Sequence, residues 1–438
     1  MKVGFVGLSH LGIVSSIAAA SKGVDVIAFD FDAELCSRLA QGEFPIFELG
    51  LEDLLQKNGE HIQFVADPEF LQQCDLVYFS IDVSTDEDNR SDLNALSELI
   101  ERTVKYLSTG CVLVILSQVH PGFTREIALR LAVEQRDLEL RVLYQVETLI
   151  FGRAVERALF PERFIVGCPD IDLALPDIYK DYLSAYSCPI LPMRYESAEL
   201  AKISINICLA ASISAANTLA EICENIGADW SEIVPALRLD QRIGPQAYIK
   251  PGLGIAGGNL ERDLMTVKML ADERQTEAGT IDAWLKNSNH RRNWPSDIIR
   301  EKNLAPEDDA IIAIWGLAYK EGTTSTKNSP ALSLVRSLNR RSLKAYDPMV
   351  KLGRDDAWRY LTQEPTALDA CRDASVLVVM TPWSEFTRVD LASVAEVMRN
   401  RVVVDPFSLL DAKACAVLGF EIYQIGVGAL DGLRAEAP

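Results

Sequence analysis

Short apolar runs separated by amphipathic stretches mark roughly the first 190 residues: KVGFVG, VDVIAFD, DLVYFSI, CVLVIL, RVLYQV, RFIVG and CPILPM. Runs of this length, rich in Val, Ile and aromatic residues, predict strands. Their alternation with helical segments predicts βα units building a parallel sheet. After Tyr195 the texture changes. ESAELAKISINICLAASISAANTLAEICENIGADWSEIVPAL reads as a long helical stretch rich in Ala, Ile and Leu. Its negative first turn suits the positive end of a helix. Apolar residues recur at helical spacing on more than one face, which predicts burial on several sides, with a second subunit among the candidate partners.

The βα alternation resumes at AIIAIWGLAYK and continues through LKAYD, ASVLVVMTPW, RVVVDPF and FEIYQIG. The chain therefore reads as α/β, then all-helical, then α/β, with domains expected at 1–194, 195–305 and 306–438. LRAEAP at the end reads as a frayed tail, and no repeat or low-complexity segment stands out.

Composition narrows the function. The chain has 438 residues, enough for about two to three domains with cores of their own. A formal net charge of −20 argues against nucleic acid and against an anionic membrane surface, but leaves room for a small anionic ligand. No apolar run reaches the roughly 18 residues that span a bilayer. MKVGFVGLSH runs straight into a strand-turn-helix pattern, so a folded start is expected in place of a signal peptide. The nine cysteines (Cys36, Cys74, Cys111, Cys168, Cys188, Cys208, Cys223, Cys371 and Cys415) are scattered singly, mostly in apolar segments. Reduced core cysteines in a cytoplasmic protein are the expectation. Four histidines without ligand spacing predict no metal site.

VGFVGLSHLGIVSSIAAASKGVDVIAFDFD has the order strand, tight turn, helix, strand, acidic residue. The turn is Gly7-Leu8-Ser9-His10-Leu11-Gly12, and Asp30 ends the second strand. In that context the glycine pattern predicts a Rossmann-like dinucleotide site. Asp30 would hold the adenosine ribose hydroxyls, favouring NAD over NADP, and the pyrophosphate would lie over the helix N-terminus. The middle glycine of the pattern is Ser9, small enough to tolerate the ligand or to donate to it. A Rossmann-like domain with a vestigial cofactor site is the other reading.

A second glycine-rich stretch, PGLGIAGGNLERDL (251–264), precedes a helix start and implies close approach to bare backbone. It offers Asn259, Glu261, Arg262 and Asp263, but no Cys, Ser or His.

At GEFPIFELGLEDLL (42–55) and STDEDNRSDL (84–93) the chain begins to resemble the UDP-glucose/GDP-mannose dehydrogenases, which oxidise the C6 alcohol of a nucleotide sugar with NAD. HPGFTREI, VETLIFGRAVERALFPERFIVG, ESAELAKISIN, RIGPQAYIKPGLG, GLAYKEGTTSTKNSPAL and KAYDP follow in family order, over nearly the full chain. The resemblance implies an N-terminal Rossmann domain and a C-terminal α/β nucleotide-binding domain joined by a central all-helical dimerisation domain. It also implies NAD as cofactor, a nucleotide-sugar substrate and a homodimer.

The glycine-rich loop would wrap the sugar and carry the family's nucleophilic cysteine, but that position holds Asn259. A carboxamide forms neither the thiohemiacetal from which the second hydride leaves nor the thioester that water cleaves. Other departures are Gln118 for a threonine that positions water, Phe151 for a second glutamate, and Asp82-Val83-Ser84-Thr85 for a Gly-Thr-Pro-Thr loop near the cofactor. Thr324 and Ser325 replace two aspartates, and Lys327 replaces an arginine near the cofactor.

Other family positions are retained. Lys202 and Asn206 stand four apart on one helix face, the lysine for oxyanion charge and the asparagine hydrogen-bonding nearby. Asp263 takes the place of the catalytic aspartate and Glu147 that of the first glutamate. By the same resemblance Arg242 would reach a neighbouring subunit's substrate. Tyr248, Lys250 and Gly254 would line the sugar-nucleotide pocket, with Tyr319 and Lys320 at the C-terminal domain's edge. Cofactor contacts are implied at Gly7, Ser9, His10, Leu11, Gly12, Asp30, Thr85, Ser117 and Lys327.

Each retained residue has a plain structural alternative. Lys202 could be solvated, Asn206 a satisfied core amide, Asp263 a first-turn helix acid, Arg242 an interface ion pair and Asn259 a loop residue without a chemical role. The residues for acyl chemistry are gone, while those for hydride chemistry mostly remain. The expected activity is a two-electron oxidation of a nucleotide sugar. A catalytically inactive NAD or nucleotide-sugar binding regulator, and an acid-forming dehydrogenase using a non-thiol route, are the alternatives.

Overall fold

The computed structural model describes residues 1–86, 91–256, 259–307, 309–338, 341–353 and 358–428. Part of the STDEDNRSDL motif, Gly257 and Gly258 of the glycine-rich loop, and the C-terminal tail lie outside the described residues. The chain forms two compact units, Met1–Ile205 and Asn206–Pro438.

The first unit is built on an eight-stranded sheet. Its strands are β1 (Lys2–Val6), β2 (Asp25–Phe29), β3 (Ile62–Val65), β4 (Leu76–Phe79), β5 (Val112–Ile115), β6 (Arg141–Gln145), β7 (Phe164–Cys168) and β8 (Ile190–Arg194). Their order is β3-β2-β1-β4-β5-β6-β7-β8. β1 and β4 pair in parallel, so the strand order reverses between them. A crevice opens beyond the carboxyl ends of two such strands, and ligands bind there in folds of this type. Burial on both faces explains near-continuous apolar runs such as LVYF and VLVI.

The all-parallel expectation needs one correction, because β6 and β7 are antiparallel. The segment 146–163 does not cross a face of the sheet. It turns back at the carboxyl end of β6, which leaves Glu147 and Phe151 at the same edge as the dinucleotide turn.

Helix α1 (His10–Ala20) follows β1, and α2 (Phe123–Glu134) follows β5. A 32-residue helix, α3 (Tyr195–Ile226), carries the chain out of the first unit into the second. Gly227 ends it with φ of 75°, a left-handed conformation that suits glycine. One expectation changes at α3. It is long and apolar enough to cross a membrane by length and composition, a test that buried helices of globular proteins also pass, and 39% of its most apolar stretch is buried. Small Ala and Ser residues between the aliphatic ones hid this continuity. Within the single chain Leu200, Leu219, Ile222 and Ile226 of this helix are exposed.

In the second unit α3 is followed by a ten-residue helix, Trp230–Leu239, and then by α4 (Asn259–Arg274) and α5 (Gly279–Arg292). Beyond them lies a six-stranded parallel sheet: β9 (Ile311–Trp315), β10 (Ser342–Tyr346), β11 (Leu361–Gln363), β12 (Ala374–Val379), β13 (Val402–Asp405) and β14 (Glu421–Gln424). Its order, β11-β10-β9-β12-β13-β14, repeats that of the first six strands of the other sheet. The topology is thus duplicated although the sequence shows no repeat. The buried strand residues Ile312, Ile314, Val376 and Val378 anchor the core of this unit.

Candidate active site

The turn after β1 is shaped by two glycines. Gly7 has φ of 91°, and its N–H donates to Phe29 O at 2.9 Å. A Cβ on Gly12 would lie 1.9 Å from Gly7 O, so only a bare backbone lets α1 start this close to the turn. The Leu8 N–H donates to Asp30 Oδ2 at 2.8 Å, and the Asp32 N–H to Asp30 Oδ1 at 3.0 Å.

Ser9 is the N-cap of α1, yet its side chain does not cap the helix. Its Oγ accepts the Asp82 N–H at 2.8 Å, while Asp82 Oδ2 accepts the Leu11 N–H at 3.3 Å. His10 Nε2 lies 2.8 Å from Glu48 Oε1, and its ring lies 4.4 Å from that of Phe151. Ser117 is buried and donates to Ile81 O at 2.7 Å. Thr85 forms an isolated bridge with Ser91.

This turn fits NAD on its own atoms. Gly7 makes the tight turn and Gly12 the close start of α1, which together set the helix N-terminus where a pyrophosphate would lie. A carboxylate has about four acceptor sites, so Asp30 retains capacity for ribose hydroxyls beyond the two N–H groups it holds. One feature opposes the cofactor: the Asp82 carboxylate already occupies an N–H of the first helical turn.

The Glu147 segment is anchored by Glu48, a buried carboxylate that the sequence reading did not single out. Glu48 accepts from Gly152 N at 2.8 Å and Ala154 N at 3.0 Å, and it also meets His10. Glu147 accepts the Leu149 N–H through Oε1 and faces Lys202 Nζ at 3.3 Å through Oε2. One turn earlier on α3, the buried Glu199 accepts from Gly122 N at 2.6 Å and Thr124 N at 2.8 Å, at the start of α2. Burial pushes its carboxyl pKa up, partly offset by those N–H groups. Gln118, three residues before Pro121 of the Pro121-Gly122 turn, is half-buried.

In the second unit Asp263 is fully enclosed. Asn206 Nδ2 donates to its Oδ2 at 2.6 Å, and Arg262 Nε lies 3.3 Å from its Oδ1. Asn259 is the exposed first residue of α4. Two residues on, Glu261 pairs with Arg292 at 2.8 Å and hydrogen-bonds Asn328. Gly254 has φ of 74°, and a Cβ there would lie 2.4 Å from Ser288 O.

Other expected positions are spread out. Arg242 is exposed and pairs with Asp240 of its own turn at 2.7 Å. Tyr248, Lys250 and Lys327 are exposed, and Tyr319 and Lys320 are half-buried with the ammonium 5.7 Å from the ring centre. Cys371 is buried with its thiol pKa pushed up to about 12, so it holds little thiolate at neutral pH. Cys208 is exposed and two positions from Asn206, hence on a different face of α3.

Three groupings result: Gly7–Gly12 with Asp30 and Asp82, Glu147 with Lys202, and Asn206 with Asp263. Asp82, Glu48 and Glu199 were not assigned roles from sequence. Glu48 lies within the quoted IFELGL motif, so its signal was present. Asp82 was noted only as a departure, and nothing local tied it to Leu11.

Models of one family match most of the chain. The NAD-binding domain of the UDP-glucose/GDP-mannose dehydrogenase family matches residues 1–182, its central domain 196–290 and its UDP-binding domain 313–412. A UDP-glucose 6-dehydrogenase of Rickettsia conorii is 27% identical over 440 residues, covering 97% of this chain and 99% of the relative. That of Pseudomonas aeruginosa is 28% identical over 447 residues, covering 98% and 97%. Among solved structures, a UDP-glucose dehydrogenase from Pyrobaculum islandicum shares the fold with a TM-score of 0.83 at 22% identity, covering 98% of each chain. A UDP-D-ManNAc dehydrogenase from Pyrococcus horikoshii does so with 0.81 at 22%, covering 97% of this chain and 99% of that one. With all three domain models in order along one chain, and with a dinucleotide turn whose glycines and Asp30 suit NAD, the protein belongs to the UDP-glucose/GDP-mannose dehydrogenase family of NAD-dependent oxidoreductases, which act on a CH–OH group of a nucleotide sugar.

Proposed function

We propose that this chain oxidises the alcohol of a nucleotide sugar by two electrons and releases a carbonyl product without a covalent thiol step. The observation that carries the reading is a split in the residues. Lys202 with Glu147, and Asn206 with Asp263, supply groups for alcohol oxidation, whereas Asn259 stands where the acyl chemistry needs a thiol.

NAD, when bound, accepts the hydride from the carbinol carbon. The rest of the step belongs to the chain. The Lys202 ammonium stabilises negative charge growing on the sugar oxygen, and Glu147 orients it. Asp263, held through both oxygens by Asn206 and Arg262, receives the hydroxyl proton by way of a water. Atoms and electrons balance: the alcohol loses a hydride and a proton and becomes a carbonyl. The amide nitrogen of Asn259 is no nucleophile, so the carbonyl is not captured.

The remaining assignments are part of the same proposal. Cofactor contacts lie at Gly7, Ser9, His10, Leu11, Gly12, Asp30, Thr85, Ser117 and Lys327. Substrate contacts lie at Arg242, Tyr248, Lys250, Gly254, Tyr319 and Lys320. Domain limits are 1–194, 195–305 and 306–438. The exposed aliphatic residues Leu200, Leu219, Ile222 and Ile226 on α3 support a homodimer through the central helical region. Nine cysteines without a disulfide support a reducing, cytoplasmic setting.

A second reading, a catalytically silent binder of NAD or nucleotide sugar, draws on the Asp82 carboxylate at the start of α1. Incubation with NAD and a panel of UDP-, GDP-, CDP- and dTDP-sugars, followed by hydroxylamine trapping and mass spectrometry, tests both. An oxime of the nucleotide sugar that forms only when NAD is present supports the two-electron dehydrogenation. A uronic acid overturns the two-electron reading, and no converted sugar favours the binder.

A further inference from the structure

We infer that Ser9 and Asp82 form an internal latch over the pyrophosphate position, and that NAD enters only when Asp82 withdraws. The inference rests on the NAD-binding reading of the first unit. The first N–H groups of a helix have no intrahelical acceptor, and an N-cap side chain or a bound anion ordinarily takes them. At α1 the N-cap residue does not fill that role. Ser9 Oγ instead accepts the Asp82 backbone N–H at 2.8 Å, and the Asp82 carboxylate reaches back to Leu11 N at 3.3 Å. The two residues have exchanged tasks across 73 positions of chain. The serine fixes the backbone of the segment after β4, and the aspartate supplies the negative charge that completes the helix terminus.

Two further details make the pair specific to the cofactor position. Ser9 occupies the middle place of the Gly7–Gly12 pattern, where a glycine would have no hydroxyl to hold Asp82. The Leu8 N–H is taken by Asp30 at 2.8 Å, so Asp82 holds a neighbouring N–H of the same cradle. Asp82 is also exposed, so its carboxylate can swing into water without leaving a buried charge. A diphosphate entering here meets a like charge at close range and must compete for the Leu11 N–H. Both effects lower its affinity until the latch opens.

The test is calorimetric titration of the full chain with NAD and, separately, with ADP, which carries the diphosphate without nicotinamide. Asp82→Ala should bind both ligands on the order of tenfold more tightly than the unaltered chain. Ser9→Ala should gain part of that. The double substitution should gain no more than Asp82→Ala alone, because both act on one latch. Equal NAD affinity in the unaltered chain and Asp82→Ala overturns the latch and leaves the cofactor reading intact. Weaker binding in Asp82→Ala also overturns the latch, since the carboxylate would then assist the ligand. Absence of NAD binding in both overturns the latch together with the cofactor reading. An Asp82→Asn chain behaving like Asp82→Ala assigns the effect to charge, and melting curves with unchanged midpoints verify that each variant is folded.

Discussion

The Lys202 ammonium stands 3.3 Å from the Glu147 carboxylate, and both side chains are largely withdrawn from solvent. They come from different places, Glu147 from the return loop after β6 and Lys202 from the second turn of α3. The pairing fixes a long, flexible cation in one orientation, as oxyanion stabilisation requires. Lys202→Ala should lower kcat by about 100-fold or more, the usual cost of deleting such a donor. Steady-state kinetics check it, with circular dichroism confirming an intact fold. Unchanged turnover would remove the lysine from the mechanism. Glu147→Gln keeps the shape of the partner but not its charge, and should give an intermediate loss.

Asp263 is tied to Asn206 and Arg262 and fully enclosed. Removing one partner of a buried ion pair costs about 3–5 kcal/mol. Asp263→Ala should therefore lose stability in that range as well as turnover, whereas Asn206→Ala, which removes one donor to the carboxylate, should lose about 1.5–3 kcal/mol. Urea unfolding midpoints of the two variants separate these outcomes. A similar small loss in both would mean that the Arg262 contact contributes little.

Gly12 permits the close start of α1, since an added Cβ would press to 1.9 Å from Gly7 O. Gly12→Ala should displace the turn and abolish measurable NAD binding, at a cost of about 1–3 kcal/mol in stability. Calorimetry and thermal melts check both parts. Retained affinity would show that the cofactor does not use this turn.

Asn259 begins α4 and is exposed, so a side chain of similar size is tolerated there. Asn259→Cys restores a nucleophile and should divert product from carbonyl to acid, read by mass spectrometry. Absence of acid would locate the divergence in further residues, with Gln118 and Phe151 the first to exchange.

Much of the fold was legible because its strands are buried on both faces and read as unbroken apolar runs. The two strands that escaped notice, β3 and β11, sit at the edges of their sheets with only partial burial. A half-wet edge strand of three or four residues leaves little apolar signal. The reversal at β7 was hidden too, because RFIVG has the same apolar character whichever way it pairs. In the site, Gly7, Gly12 and Asp30 announced themselves through local spacing. Asp82 did not: its partner Leu11 is 71 positions away, and only the adjacency of β1 and β4 brings them together. Glu48 similarly binds Gly152 and Ala154 from over 100 positions away.

The central claim is that oxidation stops after one hydride transfer. It is tested most directly by the ratio of NADH formed to sugar consumed, followed at the nicotinamide absorbance with the product identified in the same sample. The account predicts a ratio of about one with a carbonyl product, as the absence of a nucleophile at Asn259 requires. A ratio of two with a uronic acid would contradict it.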